Sequence, residues 1–212
     1  MQVTIVDYGT GNLHSVQKAI DTAAKDISKN IKIKVSNNSK EILNSDKLIL
    51  PGQGSYKQCM DNIEKIPDLK SCLNEFVTLK KKPTFGICVG MQLFSDEGLE
   101  QEKTKGFGWI AGVVKKIILK DKNLKLPHMG WNQINFKNNF LFTDIQNSSH
   151  FYFVHSYNFE VTDKQYILAT AEYEKILVAA VLKDNIFGTQ FHPEKSQENG
   201  IKIFSNFLNW DL

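Results

Sequence analysis

Residues 84–95 read Thr84-Phe85-Gly86-Ile87-Cys88-Val89-Gly90-Met91-Gln92-Leu93-Phe94-Ser95. Thr84–Cys88 has the composition of a short buried strand, and Val89–Ser95 turns straight into a helix. Glycine, any residue, nucleophile, any residue, glycine at such a junction is the layout of a nucleophile elbow, with cysteine where hydrolases carry serine. The glycines two residues either side allow a sharp turn and a close approach of neighbouring elements. A helix that starts at the sulfur aims its partially positive end there and favours thiolate over thiol. The backbone N–H of Val89 then faces the place where an oxyanion would form. The plainer alternative is a packed, inert thiol, which is how Cys59 and Cys72 read on their apolar helix faces.

Outward from this junction, the first half alternates strands and helices. Gln2–Tyr8 is a strand closed by Gly9-Thr10-Gly11, and Asn12 can cap a helix carrying Leu13, Val16, Ile20 and Ala23 or Ala24 on one side. Ile31–Val35 is a second strand, followed by an Asn-Asn-Ser turn. Lys47–Leu50 is a third, ending in Pro51-Gly52-Gln53-Gly54. Helical stretches follow around Tyr56–Ile66 and Leu69–Lys81, with Pro67 between them. The second half changes character: Gly112–Lys120, Trp131–Phe136, Phe151–Phe159, Tyr166–Glu174, Leu177–Lys183 and Asn185–Phe191 all read as extended. A terminal helix spans roughly Gly200–Leu208. This pattern predicts an α/β fold, a mostly parallel sheet flanked by helices with a β-rich C-terminal half, in a single domain over residues 1–212.

Composition narrows the function classes. The chain has 212 residues, 42% hydrophobic and 23% charged, enough to bury a full core and too apolar for intrinsic disorder. It contains no run of eighteen apolar residues, and its opening MQVTIVDYG reads as a strand rather than a signal peptide. Three cysteines at wide spacing fit a reducing cytosol rather than a disulfide scaffold. A net charge of +3 gives no nucleic-acid footprint. Every basic residue is lysine, so a site that grips phosphate through arginine forks is not expected on this chain. Gly9-Thr10-Gly11 invites a dinucleotide-binding reading and fails it. His14 stands at the third glycine position, and no acidic residue closes the second strand.

A catalytic thiol needs a base, and five histidines are available. His14 lies on a helix and His150 at a strand edge. His155 alternates with Phe151, Phe153 and Tyr157 on one strand face and reads as a packed imidazole. His128, between Pro127 and Met129, is open. His192 follows a strand and leads into Pro193-Glu194. In an extended His-Pro-Glu the first and third side chains leave the same side, so Glu194 can orient the imidazole. Pro51-Gly52-Gln53-Gly54 is a third element, able to present a backbone N–H at the carboxyl end of a parallel strand, where ligands collect in such sheets.

Gly86-Ile87-Cys88-Val89-Gly90-Met91-Gln92, with Phe191-His192-Pro193-Glu194 far downstream, resembles the motif pair of the class I (triad) glutamine amidotransferases. Asp7-Tyr8-Gly9-Thr10-Gly11-Asn12-Leu13, Pro127-His128-Met129-Gly130-Trp131-Asn132, Phe153-Val154-His155-Ser156-Tyr157 and His192-Pro193-Glu194-Lys195-Ser196 extend the likeness over the whole chain. They narrow it to the ammonia-supplying subunits of histidine biosynthesis. The resemblance implies a flavodoxin-like sheet, no cofactor and no metal. It implies that Cys88 attacks the side-chain amide of glutamine, that His192 is base and then acid, and that Glu194 orients it. Glutamine would be held by Gly52, Val89, Gln92, Ser156 and Tyr157, and the oxyanion by the N–H groups of Gln53 and Val89. The ammonia would pass to a separate (β/α)₈-barrel cyclase in a heterodimer. Gln53 departs from the family pattern, which usually has valine there; the backbone N–H survives the change.

For contacts with that partner, Asn12, Trp131 and Lys195 are the nominated residues, each with a plainer reading as helix cap, core aromatic or solvated lysine. Three other functions fit parts of the sequence. A paralogue could feed ammonia to a different barrel synthase, such as one amidating a surface sugar. A cysteine hydrolase or peptidase could act alone on a similar sheet, although Gln92 and the His-Pro-Glu spacing argue against it. A binding module could carry the triad incidentally.

Overall fold

The computed structural model describes residues 1–211 apart from Asp26 and Lys29. In chain order the strands and helices are β1 (Gln2–Val6), α1 (Leu13–Ala24), β2 (Lys32–Ser36), α2 (Ser39–Asn44), β3 (Lys47–Gly52), α3 (Tyr56–Lys65), α4 (Leu69–Asn74), β4 (Thr84–Cys88) and α5 (Val89–Gln92). There follow β5 (Glu97–Leu99), β6 (Lys103–Lys105), β7 (Gly112–Lys116), β8 (His128–Phe136), β9 (His150–His155), β10 (Tyr157–Val161), β11 (Ile167–Tyr173), β12 (Lys175–Lys183), β13 (Ile186–Thr189) and α6 (Gln197–Leu208).

Nine strands form one sheet in the order β2-β1-β3-β4-β13-β12-β11-β8-β9. The first five are mutually parallel and the remaining pairings are antiparallel. Strand β13 comes from the far end of the chain and inserts beside β4, which joins the two halves in one ladder. Its neighbours explain the placement. Phe187 stacks on Phe85 at 4.5 Å, and Phe204 and Phe207 of α6 pack on the same ring. Each buried phenylalanine contributes roughly 1.5–3 kcal/mol by leaving water.

Register is what positions the chemistry. Gly52 pairs with Cys88, and Thr189 pairs with Ile87, so Gln190 follows at the level of Cys88. The carboxyl ends of β3, β4 and β13 therefore form one row, the expected ligand-collecting edge of a parallel sheet.

Several expectations need correction. The Asn-Asn-Ser turn is the start of α2, where the Asn38 side chain accepts from the N–H groups of Lys40 and Glu41. The helix expected to run to Lys81 passes after Asn74 into a π-type turn over Glu75–Leu79. Phe151–Phe159 is not one strand. It breaks at Ser156, with β9 in the large sheet and β10 in a separate sheet ordered β10-β7-β5-β6. The helix after Cys88 is a single turn, Val89–Gln92, because Leu93 and Phe94 turn inward and are fully buried.

Candidate active site

Cys88 ends β4 with φ +54° and ψ −112°, a conformation that a side-chain-bearing residue adopts only under constraint, at roughly 1–3 kcal/mol. The constraint is visible in the glycines around it. A Cβ on Gly90 would sit 1.9 Å from the carbonyl oxygen of Leu50, and one on Gly52 would sit 2.3 Å from the Gly90 nitrogen. Only glycine lets β3 and the elbow approach this closely. The sharp turn aims the thiol into a cleft instead of the core, which is the strand-to-helix geometry the spacing predicts.

That cleft measures about 250 Å³, small enough to suit a single amino acid. Its lining includes Gln53, Gly54, Cys88, Val89, Gln92, Ser156, Tyr157, His192 and Lys195. Gly52 is buried behind it, in register with Cys88. The break between β9 and β10 is what turns Ser156 and Tyr157 into the cleft wall. From behind, Tyr8 donates to the carbonyl of Pro51, and the Cys59 thiol donates to that of Gln53 at 3.6 Å. Two carbonyls of the turn are thus held by side chains of the adjoining elements.

His192 and Glu194 meet as expected, but not through an extended tripeptide. Pro193–Lys195 is a 3₁₀ turn, and within it His192 Nδ1 lies 2.7 Å from Glu194 Oε1. Ser196 fastens this turn to the sheet: its hydroxyl donates to the His192 carbonyl at 2.7 Å and accepts from the Tyr152 N–H at 3.0 Å. The other ring nitrogen, Nε2, is buried and makes no hydrogen bond of normal geometry among the described residues. Burial opposes protonation of this ring. The Cys88 sulfur and the Glu194 carboxylate outweigh it, and together push His192 up to about 10. The arrangement favours an imidazolium, held against the Glu194 carboxyl group and beside the Cys88 sulfur.

The other two buried histidines do something different. His155 Nδ1 lies 2.8 Å from the Tyr157 carbonyl, which can only accept, so Nδ1 carries the proton. His155 Nε2 must then accept from His128 Nδ1 at 2.9 Å, and His128 Nε2 accepts from the Asn132 amide at 3.1 Å. Every role in this chain requires neutral rings. Burial agrees: it pushes His155 down to about 3, against the bond to Tyr157, and His128 down to about 4. His14 and His150 are exposed and lie apart from the cleft lining.

A histidine that stays neutral when folded but takes a proton when unfolded lowers stability as pH falls below about 6.5. The cost is about 1.4 kcal/mol per pH unit for each such group. His192 is raised, so its slope lies above that pH and does not interfere. Urea midpoints should therefore fall more steeply between pH 6.5 and 5 in the wild type than in His128→Gln. Equal slopes would mean that His128 is not held neutral.

Of the nominated partner contacts, Asn12 caps α1 by accepting from the Ser15 N–H at 3.2 Å, and its residue is exposed. Trp131 is no core aromatic: it is 48% exposed and packs edge-on against Tyr152. Lys195 is not simply solvated, since its ammonium lies 5.7 Å from the centroid of the same Tyr152 ring. Trp131 and Lys195 thus share one aromatic at the rim of the cleft. Sequence reading missed Gln190, which is fully buried with its side-chain nitrogen 3.6 Å from the Cys88 sulfur. The signal available was its place in the sequence: Gln190 directly follows β13 and stands two residues before His192. Among the described residues no cluster of three or more His, Cys, Asp or Glu could hold a metal, and no helix is long and apolar enough to cross a membrane.

Residues 4–210 match the family model described as glutamine amidotransferase class-I. The chain is 51% identical over 210 residues to the imidazole glycerol phosphate synthase subunit HisH of Pelagibacter ubique, covering 99% of this chain and 100% of that protein. It is 42% identical over 212 residues to the protein of the same name from Rhodospirillum rubrum, covering 99% of each. Among solved structures, a glutamine amidotransferase superposes with a TM-score of 0.73 at 16% identity, over 97% of this chain and 96% of that one. A glutamine amidotransferase from Thermotoga maritima gives 0.55 at 18% identity, over 92% of this chain and 76% of that one. At those identities the structural likeness speaks for the fold alone. The family model spans nearly the whole chain and the relatives match it end to end: the chain belongs to the class-I glutamine amidotransferases.

Proposed function

We propose that residues 1–212 act as one domain, the glutaminase subunit of imidazole glycerol phosphate synthase. It hydrolyses L-glutamine to glutamate and ammonia and delivers the ammonia to a (β/α)₈-barrel cyclase in a heterodimer. The cyclase uses it to make imidazole glycerol phosphate and AICAR in L-histidine biosynthesis. The observation that carries the chemistry is the convergence of Cys88 and the His192–Glu194 pair on one small cleft at the strand ends. The identity of 51% over the full length of a HisH protein favours this acceptor over a surface-sugar synthase.

In this reading the Cys88 sulfur attacks the carboxamide carbon, and the oxygen becomes an oxyanion facing the N–H groups of Gln53 and Val89. His192 gives its proton to the departing nitrogen, so ammonia leaves and a glutamyl thioester remains. His192 then removes a proton from water, which attacks the thioester and releases glutamate and the Cys88 sulfur. Glu194 holds the ring in place throughout. Gly52, Val89, Gln92, Ser156 and Tyr157 hold the glutamine. The site needs no cofactor or metal, and the protein works in the cytosol.

The experiment is glutamine turnover with and without the cyclase encoded in the same genome. Activation of about 10²-fold or more is expected, which needs only about 2.7 kcal/mol of differential contact. Trp131→Ala with Lys195→Ala should remove most of it, because both side chains meet at Tyr152 on the cleft rim. An unpartnered protein as fast as the complex would defeat the coupling. Full activation of the double variant would move the contact elsewhere.

A further inference from the structure

We infer that Gln190 is a catalytic residue whose side-chain amide donates to the Cys88 sulfur and keeps it anionic, with Gln92 fixing which end of that amide faces it. This rests on reading Cys88 as the nucleophile. The orientation follows from one unambiguous acceptor. The Tyr157 carbonyl cannot donate, so the Gln92 atom 3.3 Å from it is Nε2. The same Nε2 lies 2.9 Å from Gln190, which must therefore present Oε1 to it. The other end of the Gln190 amide, Nε2, is left 3.6 Å from Cys88 Sγ, within reach for a donor to sulfur.

Three further observations support a built arrangement. Gln190 is 0% exposed, so water does not compete for the amide. Its backbone N–H is fixed to the Ala179 carbonyl at 2.8 Å, and parallel register sets it level with Cys88. The helix after Cys88 has only four residues, too short for its dipole to carry the stabilisation that the sequence suggested. The Gln190 N–H supplies a donor to the sulfur in that helix's stead. The Tyr157 carbonyl also accepts from His155, so the neutral histidine chain and the amide chain meet at one oxygen. The cleft wall and the nucleophile are thereby held by a continuous set of hydrogen bonds.

The test uses iodoacetamide on the full-length protein from pH 5 to 10, with labelled peptides identified by mass spectrometry. The anionic sulfur displaces iodide, so the rate follows the thiolate. Gln190→Met should slow Cys88 labelling about tenfold at pH 7 and move the midpoint of the profile up by about one pH unit. Gln190→Glu should move it further, because it puts a carboxylate beside the sulfur. A packing role predicts the opposite order, since glutamate matches glutamine in size, and it carries the test if the methionine variant fails to fold. Turnover should fall in the same order, and in Gln190→Glu through kcat with KM little changed, because that variant keeps an acceptor for the Gln92 amide. Coincident profiles, or a smaller shift in Gln190→Glu than in Gln190→Met, would overturn the role of Gln190 and leave the nucleophile standing. A wild-type Cys88 inert to the reagent at every pH would overturn both.

Discussion

Replacing Cys88 with alanine or serine is expected to abolish glutamine hydrolysis, by at least about 10⁴-fold, while urea stability and partner binding persist. Alanine removes the attacking atom. Serine keeps an oxygen, but a hydroxyl holds its proton at neutral pH, and His192 would lose the Cys88 sulfur that helps to raise it to about 10. A diazoketone analogue of glutamine should label Cys88 and spare the other two cysteines. Cys59 and Cys72 lie outside the cleft lining, and burial pushes both thiols up, away from reactivity. Glutamate release by the variants, measured beside their denaturation curves, decides the matter. A folded Cys88→Ala protein that turns over glutamine at the wild-type rate would remove the nucleophile from the mechanism.

The elbow was legible in the sequence because its physics is local. An apolar strand, a nucleophile and paired glycines are contiguous, and β4 has the bounds that the pattern predicts. His192 was legible for a similar reason, since proline and glutamate follow it directly. What stayed hidden depends on neighbours from elsewhere in the chain. Strands β5 and β6 are three residues each, too short to show a period, and they exist because β5 pairs with β7 and β6 with β5. The break at Ser156 lies inside a stretch rich in aromatic strand formers, Phe151–Phe159. It is forced by β10 pairing with β7 in the other sheet, and the Ser156 carbonyl accepts from the Ile117 N–H at 2.9 Å. Asn38 reads as a turn residue and in fact caps a helix, because both roles use the same side-chain acceptor. Gln190 matches no motif of its own. Its meaning comes from the insertion of β13 beside β4, a pairing across a hundred residues that no local pattern encodes.

The second large effect separates the two members of the His192–Glu194 pair. His192→Ala should lose roughly 10²–10⁴-fold in kcat, the range spanned by a positioned acid–base group. The two candidates for substitution are already committed. His128 and His155 donate and accept along a chain that requires both to be neutral, and protonating either would break it. Glu194→Gln should lose far less. The amide oxygen can still accept from His192 Nδ1 at the position now 2.7 Å away, so the ring keeps its orientation. What disappears is negative charge, so the imidazole is less strongly protonated. The fall in activity at alkaline pH should then begin at a lower pH in Glu194→Gln than in the wild type, a shift that mere loosening of the ring would not produce. The measurement is kcat across pH for both variants, normalised to folded protein. Equal and small losses would make another histidine the base, and a Glu194→Gln profile parallel to wild type would reduce Glu194 to a packing role.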